Sequence, residues 1–271
     1  MLYNDTARIQ EHYDLASHHY QELWGKHIHH GYWISGKESK EEAAQNLIEL
    51  LIRKSGLKHG SSVLDIGCGI GGTSIFLAKE YGCKVTGISI SPVQVEMARE
   101  GAKNLANPPQ FLVDDANDIS VQGTFDVLWS VEMIAHLRDR DNLFRRAAAL
   151  LKPGGKMCIT DWWQDEDLTE KEIKKYIEPI EKGMLVSLPT ISEYMTHINN
   201  HGFRVLYFED ISSSVARTWD ITSESIKPQA IWTFAMSHGK ALVEFLQSFG
   251  AMRSGFKSGT FRYPVMVLEK R

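Results

Sequence analysis

Gly67, Gly69 and Gly72 follow the short apolar run 63–66 and open a helical pattern, so they meet the G-x-G-x-x-G spacing in a strand-turn-helix setting. A loop of this kind brings backbone N–H groups and a helix start close to a ligand. In a dinucleotide site an acid about 20 residues further on grips the ribose. Here the second strand ends in Gly87-Ile88-Ser89-Ile90-Ser91, without a carboxylate. The acid stands before the glycines instead, at Asp65, where it repels a pyrophosphate but pairs with an ammonium group. A second acidic pair, in Asp114-Asp115-Ala116, closes the third strand. Carboxylates around a glycine floor suit a ligand that carries an amino acid, an adenosine and a positive sulfur, which is S-adenosylmethionine.

Methyl transfer from such a sulfur is an in-line displacement, so a protein supplies positioning, exclusion of water and, where the nucleophile holds a proton, a base. The fourth strand ends in Trp129-Ser130-Val131-Glu132 and the chain runs on to His136. Glu132 and His136 stand four apart; on a helical turn they share a face, and the carboxylate orients the ring. The competing readings are a sheet-edge histidine bonded to backbone and a glutamate that braces a loop.

The arm before residue 40 holds six of the chain's eleven histidines, beside Tyr13, Tyr20, Trp24, Tyr32 and Trp33. No carboxylate or cysteine completes a ligand set there at regular spacing, so no metal is expected. The arm reads as an aromatic lid in which Tyr20, Tyr32 and Trp33 exclude water and face the sulfonium, with ordinary aromatic packing as the alternative.

The segments VLDIGCGIGG, VTGISISPVQ, DDA, FDVLWSVEMIAH and LLKPGGKMCITDW, in this order over about residues 40–165, resemble the motifs of class I S-adenosylmethionine-dependent methyltransferases. That resemblance implies that Asp65, Gly67, Cys68 and Gly69 line the methionine and ribose. It places Ser89, Ile90 and Gln94 where a ribose-binding acid usually stands, Asp115 and Ala116 at the adenine, and Ser130 beside the cofactor. A hydroxyl residue followed by S-P-x-Q is found in the small-molecule branch of γ-tocopherol, demethylrebeccamycin and plant alkaloid methyltransferases. WGKHIHHGYW and FGAMRSGFKSGTFRYPVMVLEK are similar to the tocopherol branch as well. That branch commonly has an acid immediately before the histidine, where this chain has Ala135. The departure weakens a carboxylate base for C-methylation and favours His136 as base toward a phenol or amine. The acceptor atom, whether O, N or C, stays open, as does a non-methylating cyclase of the same fold or a methyltransferase of RNA or protein.

Elements of a definite kind must hold these residues in place. SVLDIG, KVTGISI, PQFLVDDA, FDVLWSVE and KMCITDWW alternate with helical stretches, the first of them 40–55, which reads as an amphipathic helix closed by Gly56. This rhythm predicts a doubly wound α/β fold with a mostly parallel seven-stranded sheet, FRVLYFEDIS and TFRYPVMVLEK forming an antiparallel edge. The expected organisation is an arm at 1–39 and a methyltransferase domain at 40–271, with helical cap insertions at about 165–188 and 213–259. The caps carry Met184, Leu185, Leu188, Trp219, Trp232, Phe234, Met236 and Phe245, which roof the site for a hydrophobic small molecule or form a dimer surface.

With Lys plus Arg 30 against Asp plus Glu 34, and no basic stripe, a nucleic-acid partner is disfavoured. Cys68, Cys83 and Cys158 are odd in number and unpaired in spacing, which fits a reducing compartment. MLYNDTARIQEHYD lacks a basic start and apolar run, and no stretch of about 18 apolar residues occurs. The expectation is a cytoplasmic protein without membrane insertion, monomeric or homodimeric.

Overall fold

Val63, Val85, Val127 and Trp129 point to one face of a sheet, and Leu64, Ile66, Ile88 and Leu128 to the other, because side chains alternate along each strand. Both faces are buried, as a parallel sheet requires. The computed structural model describes residues 4–237 and 239–271, without the side chains of His19, Tyr20, Glu22, Leu23, Trp24, Ala230 and Phe234. The strands are β1 (Ser62–Ile66), β2 (Lys84–Ser89), β3 (Gln110–Val113), β4 (Phe125–Val131), β5 (Leu151–Thr160), β6 (Trp163–Gln164), β7 (Phe203–Asp210), β8 (Phe261–Arg262) and β9 (Pro264–Lys270).

Seven of these form one sheet in the order β3-β2-β1-β4-β5-β9-β7. The first five pair in parallel, and β9 lies antiparallel between β5 and β7. The last predicted strand is divided. Pro264 has no N–H, the Tyr263 N–H donates to Ser212 Oγ (2.8 Å), and β8 leaves the sheet to pair with β6 in a separate ribbon.

Helices cover both faces. On one side α2 (Lys40–Ser55) packs with α3 (Gly72–Tyr81); on the other lie α5 (Arg140–Leu150) and α8 (Ile191–Asn200). α2 starts in a Ser39–Glu42 capping box and stops at Gly56 in the left-handed conformation. α4 (Pro92–Ala102) is capped by Ser91, whose Oγ accepts from the Gln94 N–H, and its Val95, Ala98 and Ala102 pack on Phe111 of β3.

The remaining helices gather at the carboxyl end of the sheet. α1 (Thr6–Trp24) is started by Asp5. α6 (Glu170–Glu172), a π-helical turn (Ile173–Ile177) and α7 (Glu178–Met184) form one insertion. α9 (Ser212–Val215), α10 (Arg217–Ser225), α11 (Gln229–Ser237) and α12 (Lys240–Ser258) form the other. Ile180, Met184, Trp219, Phe245 and Phe249 join these two insertions in a core continuous with that of α2 and the sheet.

Candidate functional site

β1, β2 and β4 end at a common edge, and the chain leaving each of them walls a cavity. Gly67 and Gly69 form its floor, Ser89, Ile90 and Gln94 one side, Asp115, Ala116 and Asn117 another, and Glu132, Met133 and His136 the far end. Thr6, Ile9 and Tyr13 of α1, with Ile28, close the top. A carboxyl-end crevice of this kind is where doubly wound sheets bind ligands.

The glycines act in different ways. Gly67 has φ +79°, and a Cβ on it would lie 2.3 Å from Met133 Cγ. Gly69, at φ +54°, would have nothing within 4 Å of a Cβ, so its backbone is bare toward the cavity. Gly72 instead admits the arm: a Cβ there would meet the Lys26 carbonyl at 2.0 Å. The Gly67 and Cys68 N–H groups both donate to the Ile88 carbonyl at 2.9 Å, tying the loop to β2.

Polar groups on this floor match the predicted ligand. Ser89 Oγ donates to Gln94 Oε1 (2.8 Å), and no acceptor among the described residues takes the Gln94 amide NH2. Asp114 spends its oxygens on the N–H groups of Asp115, Ser120 and Val121, while Asp115 bonds Asn117 through Oδ1 alone and keeps Oδ2. Asp65 lies buried beneath the loop rather than on the wall, with Oδ2 accepting from Ser74 Oγ (2.6 Å). Burial pushes its carboxyl up to about 6 against the lowering effect of Ser74. A cation at the glycine loop would restore its charge. A hydroxyl, an amide and a carboxylate thus line this cavity with a second carboxylate beneath its floor, and S-adenosylmethionine fits these residues.

Other residues expected at the cofactor lie elsewhere. Cys68 packs among Val95, Ala98 and Phe111, away from the cavity wall. Ser130 is fully buried, and its Oγ has no partner among the described residues. Tyr32 and Trp33 do not form the lid. The Tyr32 N–H donates to the Ala43 carbonyl, and Trp33 donates from N to Ser214 O and from Nε1 to Thr218 Oγ1. Gly31, whose Cβ would be 2.6 Å from Ala43 Cβ, lets this segment sink between α2 and α10. The Tyr20 side chain lies outside the described residues. Tyr13, Ile9 and Ile28 occupy the expected place of the lid aromatics.

Glu132 and His136 do not pair. Glu132 has φ +52°, and a 3₁₀ turn (Ile134–His136) follows in place of a continuous α-helix, so the two side chains diverge. His136 Nδ1 donates to the Leu185 carbonyl (3.1 Å), which leaves Nε2 to accept from the Tyr13 hydroxyl (3.0 Å). Burial lowers this imidazole to about 4. His136 is thus a neutral acceptor that holds Tyr13, its lone pair already covered.

Glu132 instead reaches back to the arm. Its Oε1 accepts from the His30 N–H (2.6 Å), His30 Nδ1 (2.9 Å) and the Tyr263 hydroxyl (2.5 Å), and no donor among the described residues bonds Oε2. Burial alone would raise its pKa, but His30 and Tyr263 outweigh burial and hold the carboxylate below its ordinary value. His30 Nε2 accepts from the Trp219 indole (2.6 Å), which fixes the proton on Nδ1.

A second cavity adjoins the first through Tyr13, Ile28 and Glu132, and His12, His29, His30, Trp162, Met184, Trp219 and Phe245 complete its wall. Asp161, at the end of β5, braces the junction by accepting from the N–H groups of Trp162 (2.7 Å) and Ala135 (2.9 Å). Burial drives its carboxyl up to about 7 against those bonds. Of these residues, sequence reasoning missed Tyr13, His30, Asp161 and Tyr263. Ile9 and Tyr13 at i, i+4 signal a shared helix face, and Asp161 ends a strand; His30 and Tyr263 carry no such signal.

The sequence profile of the mycolic acid cyclopropane synthetase family matches residues 2–262. The chain is similar to 27-O-demethylrifamycin SV methyltransferase of Amycolatopsis mediterranei, 29% identical over 95% of both chains. It is also similar to the chloroplastic tocopherol O-methyltransferase of Arabidopsis thaliana, 28% identical over 97% of this chain and 81% of that one. In fold it resembles a mycolic acid cyclopropane synthase solved with S-adenosylhomocysteine, at TM-score 0.87 and 21% identity over 98% of both chains. The chain belongs to the mycolic acid cyclopropane synthetase family and is a class I S-adenosylmethionine-dependent methyltransferase.

Proposed function

We propose that the first cavity holds S-adenosylmethionine, the second holds a small molecule with an apolar body, and the methyl group passes between them beside Glu132. The position of Glu132 on the walls of both cavities carries this reading. Bound at the glycine loop, the cofactor supplies a methyl group on a positively charged sulfur. Asp65 and the Gly67–Gly69 backbone take its amino-acid end, Ser89 and Gln94 its ribose, and Asp115 its adenine region. Tyr13, held by His136, and the apolar Ile9 and Ile28 exclude water from the reacting end.

Glu132 Oε2 is the group available to receive a proton or hydrogen bond from the acceptor, since His30 and Tyr263 fill Oε1. His136 acts as a positioning residue for Tyr13. The arm and the two cap insertions set specificity, because they contribute His30, Met184, Trp219 and Phe245 to the second chamber. The cysteines are free and buried, which suits a reducing, cytoplasmic setting, and among the described residues no helix is long and apolar enough to cross a membrane.

The test is transfer of label from methyl-labelled S-adenosylmethionine to a panel of apolar phenols, alcohols and amines. The expected result is labelled small-molecule product and S-adenosylhomocysteine. Cofactor binding with no label ever leaving it, while the panel is converted, would replace this reading with a cyclase.

A further inference from the structure

The polar groups on the wall of the second cavity differ sharply in what they leave unused. The Trp219 indole N–H donates to His30 Nε2 (2.6 Å), whereas the Trp162 indole N–H lies 3.4 Å from Nδ1, whose own proton goes to Glu132, and so remains an unspent donor. The Tyr13 hydroxyl is turned onto His136. His30 spends its backbone N–H and Nδ1 on Glu132. Besides the Trp162 donor, Oε2 of Glu132 and Nε2 of His29 have no partner among the described residues. His29 Nδ1 lies 2.8 Å from the His30 carbonyl, and a carbonyl only accepts, so the ring proton is on Nδ1 and Nε2 is a bare lone pair. That nitrogen is buried and has no partner among the described residues. Both of these accept, so a ligand that fills them must bring donors.

The charge on the wall points the same way. Glu132 is a carboxylate, and among the described residues no lysine or arginine lines the cavity. The histidines His12 and His29 are both shifted toward the neutral form, mainly by burial. A phosphate, diphosphate or carboxylate would meet an anion and bare lone pairs. The rest of the wall is ring and thioether: Tyr13, Trp162, Trp219, Phe245 and Met184. A carboxylate among aromatic rings is a setting that favours a cation with an apolar body.

Within the methyl-transfer reading, on which this inference rests, we propose that the acceptor is an amine on an apolar skeleton, seated with its N–H groups on Glu132 Oε2 and His29 Nε2 and methylated at nitrogen. An ammonium acceptor first gives one proton to Glu132 Oε2. The freed nitrogen lone pair then forms the N–C bond while the C–S electron pair stays on sulfur. The positive charge lost by sulfur arrives on nitrogen, beside the aromatic wall, and the Glu132 proton leaves to solvent.

The experiment measures quenching of tryptophan fluorescence by phenylpropylamine, phenylpropanol and phenylpropanoate, which share one skeleton, with and without saturating S-adenosylhomocysteine. The amine is expected to bind at least about tenfold tighter than the alcohol, with the carboxylate weaker than both. Glu132→Gln and His29→Phe should each reduce that preference, and the wild-type ranking decides the matter even if a variant does not fold. Equal binding of amine and alcohol, tighter binding of the carboxylate, or no quenching by the amine overturns the proposal. Failure of S-adenosylhomocysteine to bind instead overturns the methyl-transfer reading, and the ranking on the cofactor-free protein still decides the amine inference.

Discussion

The first cavity takes most of its floor from one stretch of chain, the glycine loop followed by β2 and the start of α4. The second gathers His30, Glu132, Trp162, Trp219 and Phe245 from segments far apart in the chain. The floor of the first is backbone and short side chains, with Gly69 open and Ser89 tied to Gln94. The second is walled by large side chains locked to one another, from Trp219 through His30 to Glu132 and Tyr263. The contrast separates a binding task common to many chains, met by strand ends, from a selective one, met by the arm and caps.

Substitutions that affect one chamber and spare the other test this division. The largest effect belongs to the first cavity. Asp65→Ala should weaken S-adenosylhomocysteine binding roughly 100-fold, because an ammonium at the glycine loop loses its buried counter-charge. Titration calorimetry checks this, and an unchanged affinity would remove Asp65 from the cofactor site. Gly67→Ala should cost about 2–4 kcal/mol of stability, since φ is +79° and the new Cβ runs into Met133. Urea unfolding reads that loss.

A pH effect of comparable size belongs to the junction. Burial lowers His12 and His136 to about 4 and His27 to about 3, from an ordinary 6.5. Below pH 6.5 the unfolded chain binds protons on these rings that the folded chain refuses, so their contribution is lost as pH falls toward 4. Asp65 and Asp161, raised to about 6 and about 7, act oppositely: in the cofactor-free protein their contribution is lost as pH rises through those values. His136→Gln should therefore make stability fall by about 1–3 kcal/mol less than wild type between pH 7 and pH 4.5. Parallel slopes in the two proteins would contradict a buried neutral His136. The smallest effect belongs to Trp33, which lies outside the lid. Trp33→Phe loses the N–H bond to Thr218 and should cost about 1 kcal/mol, with S-adenosylhomocysteine affinity unchanged.

The difference between the chambers also decides what the sequence could reveal. That Gly67, Gly69, Ser89, Gln94 and Asp115 share the wall of one cavity is legible because a strand end, a turn and a helix start fix their backbone within a few residues. The parallel sheet is legible for the same reason, as each strand is a local apolar run with its own crossover. The sequence singles out Glu132 but points it to the wrong partner. A spacing of four implies contact only on a continuous helix, and the positive φ at Glu132 breaks that assumption. Its true partners, His30 and Tyr263, lie at opposite ends of the chain and come together only once the arm and β9 have packed. The expected lid differs from the observed one because aromatic density in the arm does not say which rings face the cavity. Helix phase puts Tyr13 inward, while Gly31 turns Trp33 toward α10.

The shared carboxylate is the point on which both chambers depend. Single-turnover methyl transfer with labelled S-adenosylmethionine, measured in wild type and Glu132→Gln beside titration of S-adenosylhomocysteine, tests it most directly. The expected result is a rate lowered on the order of 100-fold or more with cofactor affinity unchanged. An undiminished rate in Glu132→Gln, in protein that binds S-adenosylhomocysteine as wild type does, would contradict the account.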